Sequence, residues 1–251
     1  MIRGMYLAGQ GMLLQRRHMD VITNNIANAD TTGFKREQLV SHSFDSVMIS
    51  RVNDARYNGR PQDVGRMHLG TQVDQKFINF AQGALEGTER TTDLALIGDV
   101  FFVLETPAGE RFTRAGAFHI DDLGYLVDGN GNLLLGLAGP INVGSLDFHV
   151  DQFGTVRVDG VTVDTIRLVT FEDNESLRKE GSNLFTSLEE PLDAPAEFRV
   201  LQGFLENSNV DVAREMVDMI TTFRAYETAQ RILQMQDETL ARAVNDIARL
   251  R

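Results

Sequence analysis

Apolar residues recur every seven positions at the start of the chain, at Met5, Met12, Met19 and Ile26, with Ala8 and Ile22 between them. The spacing predicts an amphipathic helix over about residues 3–29 with one narrow apolar stripe. The far end carries a longer one. Steps of four and three from Val212 reach Met216, Met219, Phe223, Tyr226, Gln230, Leu233, Asp237, Leu240, Val244, Ile247 and Arg251, and nine of those twelve positions are apolar. No Gly or Pro interrupts residues 211–251, which predicts a single helix of about 39 residues, roughly 58 Å long, with Asn209 or Asp211 as its N-cap. Gln230 and Asp237 break the stripe, either as tolerated water-facing positions or as residues that set register against a neighbour.

Between the helices the period changes. Runs such as "DLALIGDVFFVLE", "RFTRAGAFHI", "TVRVDGVTV" and "TIRLVTF" alternate or are β-rich, and Gly- and Asp-containing turns separate them. Residues 72–206 therefore read as an antiparallel β domain. The stretch 37–71 is polar and weakly periodic; it reads as a connector, with a short helix around Phe44, Val47 and Met48. The predicted fold is α+β: long terminal helices, residues 1–36 and 207–251, pair antiparallel as one discontinuous domain and flank the central β domain.

The two helices differ in length, about 40 Å against about 58 Å. The last turns, with Leu240, Val244 and Ile247, have no counterpart in their own chain. Nine apolar side chains at roughly 1.5–3 kcal/mol each represent on the order of 10–25 kcal/mol, which one thin N-terminal helix cannot realise. The remainder calls for other copies of the chain. The competing expectation is a monomeric β-rich surface-binding or enzymatic domain that the helices clamp shut.

Charge narrows the partners. The formal net charge is −12, yet residues 1–36 hold five Lys/Arg against two Asp/Glu and residues 207–251 hold six against seven. The acid sits in the middle, and such a body repels phosphate backbones, so nucleic acid is not expected as a partner. The N-terminus lacks the form of a cleaved signal peptide, because Gly9, Gln10 and Gly11 interrupt its apolar stretch and Arg16 and Arg17 follow. The longest fully apolar run, "VFFVL" at 100–104, is far short of a membrane span, and no membrane insertion is expected.

Candidate chemistry is sparse. "DGNGN" at 128–132 begins like a calcium loop through Asp128, Asn130 and Asn132, but Leu133 stands where glycine is needed and Gly139 where a bidentate glutamate is needed. A hairpin turn is the simpler reading. The five histidines are scattered without ligand spacing, there is no cysteine, and neither GxSxG nor HExxH occurs. No catalytic residue, cofactor or metal site is nominated.

The segment "NNIANADTTGFKR", residues 24–36, is an unusual helix exit, with three asparagines, a glycine and then a phenylalanine beside two cations. Asn24, Asn25, Ala27, Asn28, Thr31, Gly33 and Phe34 resemble the N-N-x-A-N-x-x-T-x-G-[FY] element of the flagellar basal-body rod and hook protein family. "LQGFLENSNVDVAREMVDMITTFRAYETAQR" near the C-terminus is similar to the family's G-x-x-E-x-S-N-V and M-I-x-x-x-R-A-Y-E, and "LALIGDVFFVL" and "FTRAGAFHIDDLGYLVDGNGN" resemble its β-domain segments. The resemblance implies a structural rod subunit of the distal or proximal type. It would be exported through the flagellar type III apparatus without signal cleavage, would polymerise helically with itself, and would join other rod and hook subunits. Gly33 is then expected to end the first helix in the left-handed conformation. Asn24, Asn25 and Asn28, with Gly33 and Phe34, are expected to make assembly contacts, as are Met5, Met12 and Met19 on the first helix. On the second, the expected contacts are Met216, Met219, Phe223, Tyr226, Leu233, Leu240, Val244 and Ile247.

Overall fold

The computed structural model describes residues 2–51, 62–68, 70–144, 147–181, 183–195 and 197–249. Among the described residues two α-helices, α1 (Ile2–Ala27) and α2 (Val212–Arg249), bracket twenty strands. The chain divides into two compact units. One comprises residues 1–26, 37–77 and 212–251; the other comprises 27–36 and 78–211.

In the first unit α1 and α2 run antiparallel. Near one end the Asn25 amide donates to Glu215 Oε2 at 3.3 Å; near the other, a Cβ placed on Gly4 would meet the Gln236 amide at 3.4 Å. Four strands among the described residues complete the unit: β1 (Glu37–Ser43) pairs with β4 (Thr71–Ile78), and β2 (Ser46–Arg51) pairs antiparallel with β3 (Gln62–His68). Where the sequence suggests a short helix, Val47 and Met48 lie in β2 opposite Met67 and Arg66, and Phe44 lies between β1 and β2. Cross-strand pairing satisfies this backbone without needing an apolar face, which is why its polar sequence hides it.

The second unit is built on one large sheet. Short strands β5 (Leu85–Gly87) and β6 (Leu94–Ile97) precede the central hairpin of β7 (Phe101–Thr106) and β8 (Gly109–Thr113). Then come β9 (His119–Ile120), β10 (Leu126–Val127), β11 (Leu133–Leu134), β12 (Phe148–Val150), β13 (Thr155–Val158), β14 (Val161–Thr165) and β15 (Leu168–Thr170). The last five are β16 (Arg178–Glu180), β17 (Leu184–Thr186), β18 (Leu192–Asp193), β19 (Arg199–Gln202) and β20 (Phe204–Glu206). The large sheet runs β16-β17-β8-β7-β11-β10-β9, with β15 also pairing with β7 and with β18; β12-β13-β14, β19-β6 and β20-β5 form smaller sheets.

Strand β7 explains the "VFFVL" run. Val100, Phe101, Phe102, Val103 and Leu104 are all fully buried, and successive side chains enter two different cores. Phe102 and Leu104 join a cluster with Leu94, Phe118 and Leu134; Phe101 and Val103 join Phe80, Phe171 and Phe185. A strand covered on both faces reads as continuous hydrophobicity, not alternation. Among the described residues no helix is long and apolar enough to cross a membrane.

The suspected calcium loop is one of three turns of the same build. In each of Asp121–Tyr125, Asp128–Asn132 and Asp151–Thr155 the aspartate carboxylate accepts N–H bonds from residues two and four further on. The fourth residue, Gly124, Gly131 or Gly154, takes a left-handed φ of 80–88°. Asp128 also accepts from the Asn132 amide at 2.8 Å, so the carboxylate organises a turn.

Candidate assembly site

Helix α2 carries a sheltered line, which keeps Val212, Met219, Tyr226, Leu233 and Leu240 of the stripe read in the sequence and shifts the positions between them by one residue, and an exposed apolar line beside it. Its sheltered line is Val212, Glu215, Met219, Thr222, Tyr226, Ala229, Leu233, Gln236 and Leu240, all buried or half-buried. Thr222 and Ala229 are small, and small side chains allow close approach of a packed helix. The bulk is on the outside. Met216, Val217, Ile220 and Phe223 are 50–59% exposed and form one patch, and Ile232, Met235 and Val244 are exposed further along. Met219, Tyr226, Leu233 and Leu240 therefore face inward, while Met216, Phe223 and Val244 face water; the side chain of Ile247 lies outside the described residues. A heptad template fits both phases almost equally well, because a helix turn is 3.6 residues and not 3.5. On α1, Met5, Met12 and Met19 are half-buried, and the large apolar side chains of Tyr6 and Leu13 are exposed.

The asparagine-rich exit divides its work between the units. Asn25, 1% exposed, imitates a strand partner: its Oδ1 accepts the Glu37 N–H at 3.0 Å and its Nδ2 donates to the Glu37 carbonyl at 2.9 Å. The last turn of α1 is thereby tied to the first residue of β1, and the further bond to Glu215 adds the first turn of α2. Asn25→Ala would strand buried donors and acceptors, and at about 1–3 kcal/mol per group we expect urea unfolding to show about 2–4 kcal/mol lost from the helical unit. Asn24→Ala, on an exposed neighbour, should cost well under 1 kcal/mol. Asn28 is half-buried and takes the Thr31 hydroxyl at 3.3 Å.

Within the β-rich unit, residues 31–36 form a buried strap. The expectation that Gly33 ends the helix is corrected, since α1 stops at Ala27. Gly33 is left-handed (φ 67°) for a different reason: its N–H donates to the Glu206 carbonyl at 2.7 Å, and a Cβ there would stand 2.5 Å from the Ala115 nitrogen. Phe34 is fully enclosed, with Lys179 Nζ 3.6 Å from its ring centroid. Lys35 donates to Glu206 Oε1 at 2.6 Å and to the Ala81 carbonyl at 3.0 Å, and Arg114 Nη1 lies 3.6 Å from Glu206 Oε2. Burial pulls the Lys35 amine below the usual lysine value, and Glu206 opposes that fall. Asn209 completes the strap, accepting the Arg36 N–H and donating to the Asn79 and Ala81 carbonyls. It is thus engaged elsewhere, and Asp211 occupies the N-cap position before Val212.

Sequence reasoning missed Lys35, Arg114, Glu206 and Asn209, and on α2 it missed Val217, Ile220, Ile232 and Met235. "TTGFKR" and "GFLENSNV" are the two segments that meet through Lys35 and Glu206. Two specific motifs at opposite ends of a chain were the available signal.

Residues 5–35 match a family described as flagella basal body rod protein, residues 201–246 match the flagellar basal body rod FlgEFG protein C-terminal, and residues 95–159 match the flagellar hook protein FlgE/F/G D1 domain. The flagellar basal-body rod protein FlgG of Bacillus subtilis is 32% identical over 98% of this chain and 99% of its own. The flagellar basal-body rod protein FlgF of Caulobacter vibrioides is 30% identical over the whole of both chains. The flagellar hook-basal body complex protein FlhO of B. subtilis is 28% identical, also over the whole of both. Terminal helices joined to a β-rich unit by a buried strap thus accompany full-length similarity to rod proteins, and the chain belongs to the flagellar basal-body rod protein family.

Proposed function

We propose that this structural subunit of the flagellar basal-body rod polymerises with further copies of itself through α1 and α2, and that the resulting tube transmits torque. The observation that carries the reading is the exposed patch of Met216, Val217, Ile220 and Phe223, which α2 does not use within its own chain. Met5, Met12, Met19, Met216, Phe223, Val244 and Ile247 line the proposed contacts, with Asn24 and Asn28 at their edge, and Leu240, on the inner line but past the start of α1, joins them. Asn25, Gly33 and Phe34 act by fixing the path of the chain as it leaves α1. Met219, Tyr226 and Leu233 act by holding α2 against α1. Assembly with other rod and hook subunits accords with the family. Delivery by the flagellar export apparatus, without signal cleavage, follows from the same reading. The alternative of a clamped monomeric binding or enzymatic domain has no support in the comparisons.

Completing the burial of two half-exposed side chains is worth about 2 kcal/mol, or about thirtyfold in a binding equilibrium. Ile220→Ser with Phe223→Ser is accordingly expected to raise the concentration needed for polymerisation by about thirtyfold. Monomer stability should stay within about 0.5 kcal/mol. Sedimentation and electron microscopy read the first, urea unfolding the second; polymerisation at the unaltered concentration contradicts the reading.

A further inference from the structure

Helix α1 has a second flank. Its Leu14, Arg17 and Val21 lie roughly a quarter-turn from Gly4 and Asn25, which face α2. With Leu39 of β1, Val73 of β4 and Phe44 they line a groove of about 590 Å³ within the helical unit, and Asp20 stands beside them. Arg17 and Asp20 are exposed. The outer line of α2 has the form that suits such a groove: Met216, Ile220 and Phe223 stand at i, i+4 and i+7, the spacing by which an amphipathic helix anchors its apolar face. Arg224 and Glu227 follow Phe223 along that side. None of Arg17, Asp20, Arg224 and Glu227 has an ion-pair partner among the described residues.

We infer that the groove of one copy receives the outer line of α2 from a second copy. This rests on the polymerisation reading and names the surface that covers the patch. Two features select the occupant. Groove and patch are different surfaces, so their contact is heterologous: it repeats head to tail and builds an open series, whereas patch on patch would stop at a pair. Copies in such a series all point one way, and α1 and α2 are antiparallel within a copy, so a neighbour's α2 meets α1 antiparallel. Charge then fixes the register. Val21, Asp20 and Arg17 step back by one and four positions, while Phe223, Arg224 and Glu227 step forward by one and four. Phe223 set on Val21 therefore brings Arg224 to Asp20 and Glu227 to Arg17, and both pairs attract.

Reversing one charge at a time tests the register. Arg17→Glu and Glu227→Arg each set like charges against one another, and each variant alone is expected to need about fivefold more protein to polymerise at low salt. An equimolar mixture of the two should polymerise at the unaltered concentration, because the groove of each variant then meets the opposite charge on the patch of the other. The double variant, Arg17→Glu with Glu227→Arg in one chain, should recover to within about twofold. Sedimentation reads all four, and urea unfolding checks that these surface changes leave the monomer folded. Single variants that polymerise like the unaltered protein, or a mixture no better than its components, overturn the inference and leave the patch to another surface. Failure of the polymerisation reading looks different: it shows in the chain carrying Ile220→Ser with Phe223→Ser, which would then polymerise at the unaltered concentration.

Discussion

Glu206→Gln is expected to destabilise the β-rich unit by about 3–5 kcal/mol, the range for removing one member of a buried ion pair. Glu206 Oε1 receives Lys35 at 2.6 Å and the Gly83 N–H at 2.8 Å, and Oε2 faces Arg114 at 3.6 Å. Neutralising it strands two buried cations. Lys35→Met should cost less, because it removes one cation and leaves the acid with Arg114. The pH dependence has a defined sign. Burial already holds the Lys35 amine below its ordinary 10.5, and Glu206 is the main force raising it, so the substitution lowers it further. A lysine depressed in the folded state contributes stability above its unfolded value and loses it as pH falls through the folded one. The deficit of Glu206→Gln relative to the unaltered protein should therefore shrink as pH rises from neutrality towards 10.5, since Lys35 sheds its proton. Urea unfolding at a series of pH values reads both the order of the variants and the trend. A loss under about 1 kcal/mol, or a deficit independent of pH, would contradict the strap's electrostatics.

Deleting residues 240–251 is expected to prevent polymerisation and leave the β-rich unit folded. Gly4 lies opposite Gln236, and α1 begins at Ile2, so the remainder of α2 to Arg249 extends roughly three turns past its partner. So short a helical segment is marginal in water unless its apolar face is packed. Leu240, Val244 and Ile247 would supply about 5–8 kcal/mol to an interface that buries them, more than a thousandfold in an association constant. Unit integrity can be followed by the resonances of the two β-domain cores, and assembly by electron microscopy. A truncated chain that still forms rods refutes the role given to the overhang.

The elements differed in how plainly they could be read. Both helices announced themselves because Met5, Met12 and Met19, and then Met219, Tyr226, Leu233 and Leu240, repeat every seven residues over long stretches. The β-rich region was legible from runs such as β7 and from its Asp/Gly turns, although the shared D-x-x-G build of three turns went unused. Which face of α2 turns inward was not legible, since Met216 and Phe223 sit one position from Glu215 and Thr222 and hydrophobicity alone favours the bulkier pair. The smallness of Thr222 and Ala229 was the missing clue. The strands β1–β4 were hidden because pairing, not an apolar face, holds them. Lys35 and Glu206 were hidden because charged side chains are normally solvated and these two are 171 residues apart.

The central claim is that the outer line of α2 stays wet in one copy and is covered when copies assemble. Hydroxyl-radical footprinting of Met216, Ile220 and Phe223, in dilute protein and in assembled rods, measures this directly, with half-buried Met219 as the internal reference. Rapid modification of the three in dilute protein and at least about tenfold protection in the rod, with a smaller change at Met219, is the predicted result. Equal modification of all four in both states would contradict it.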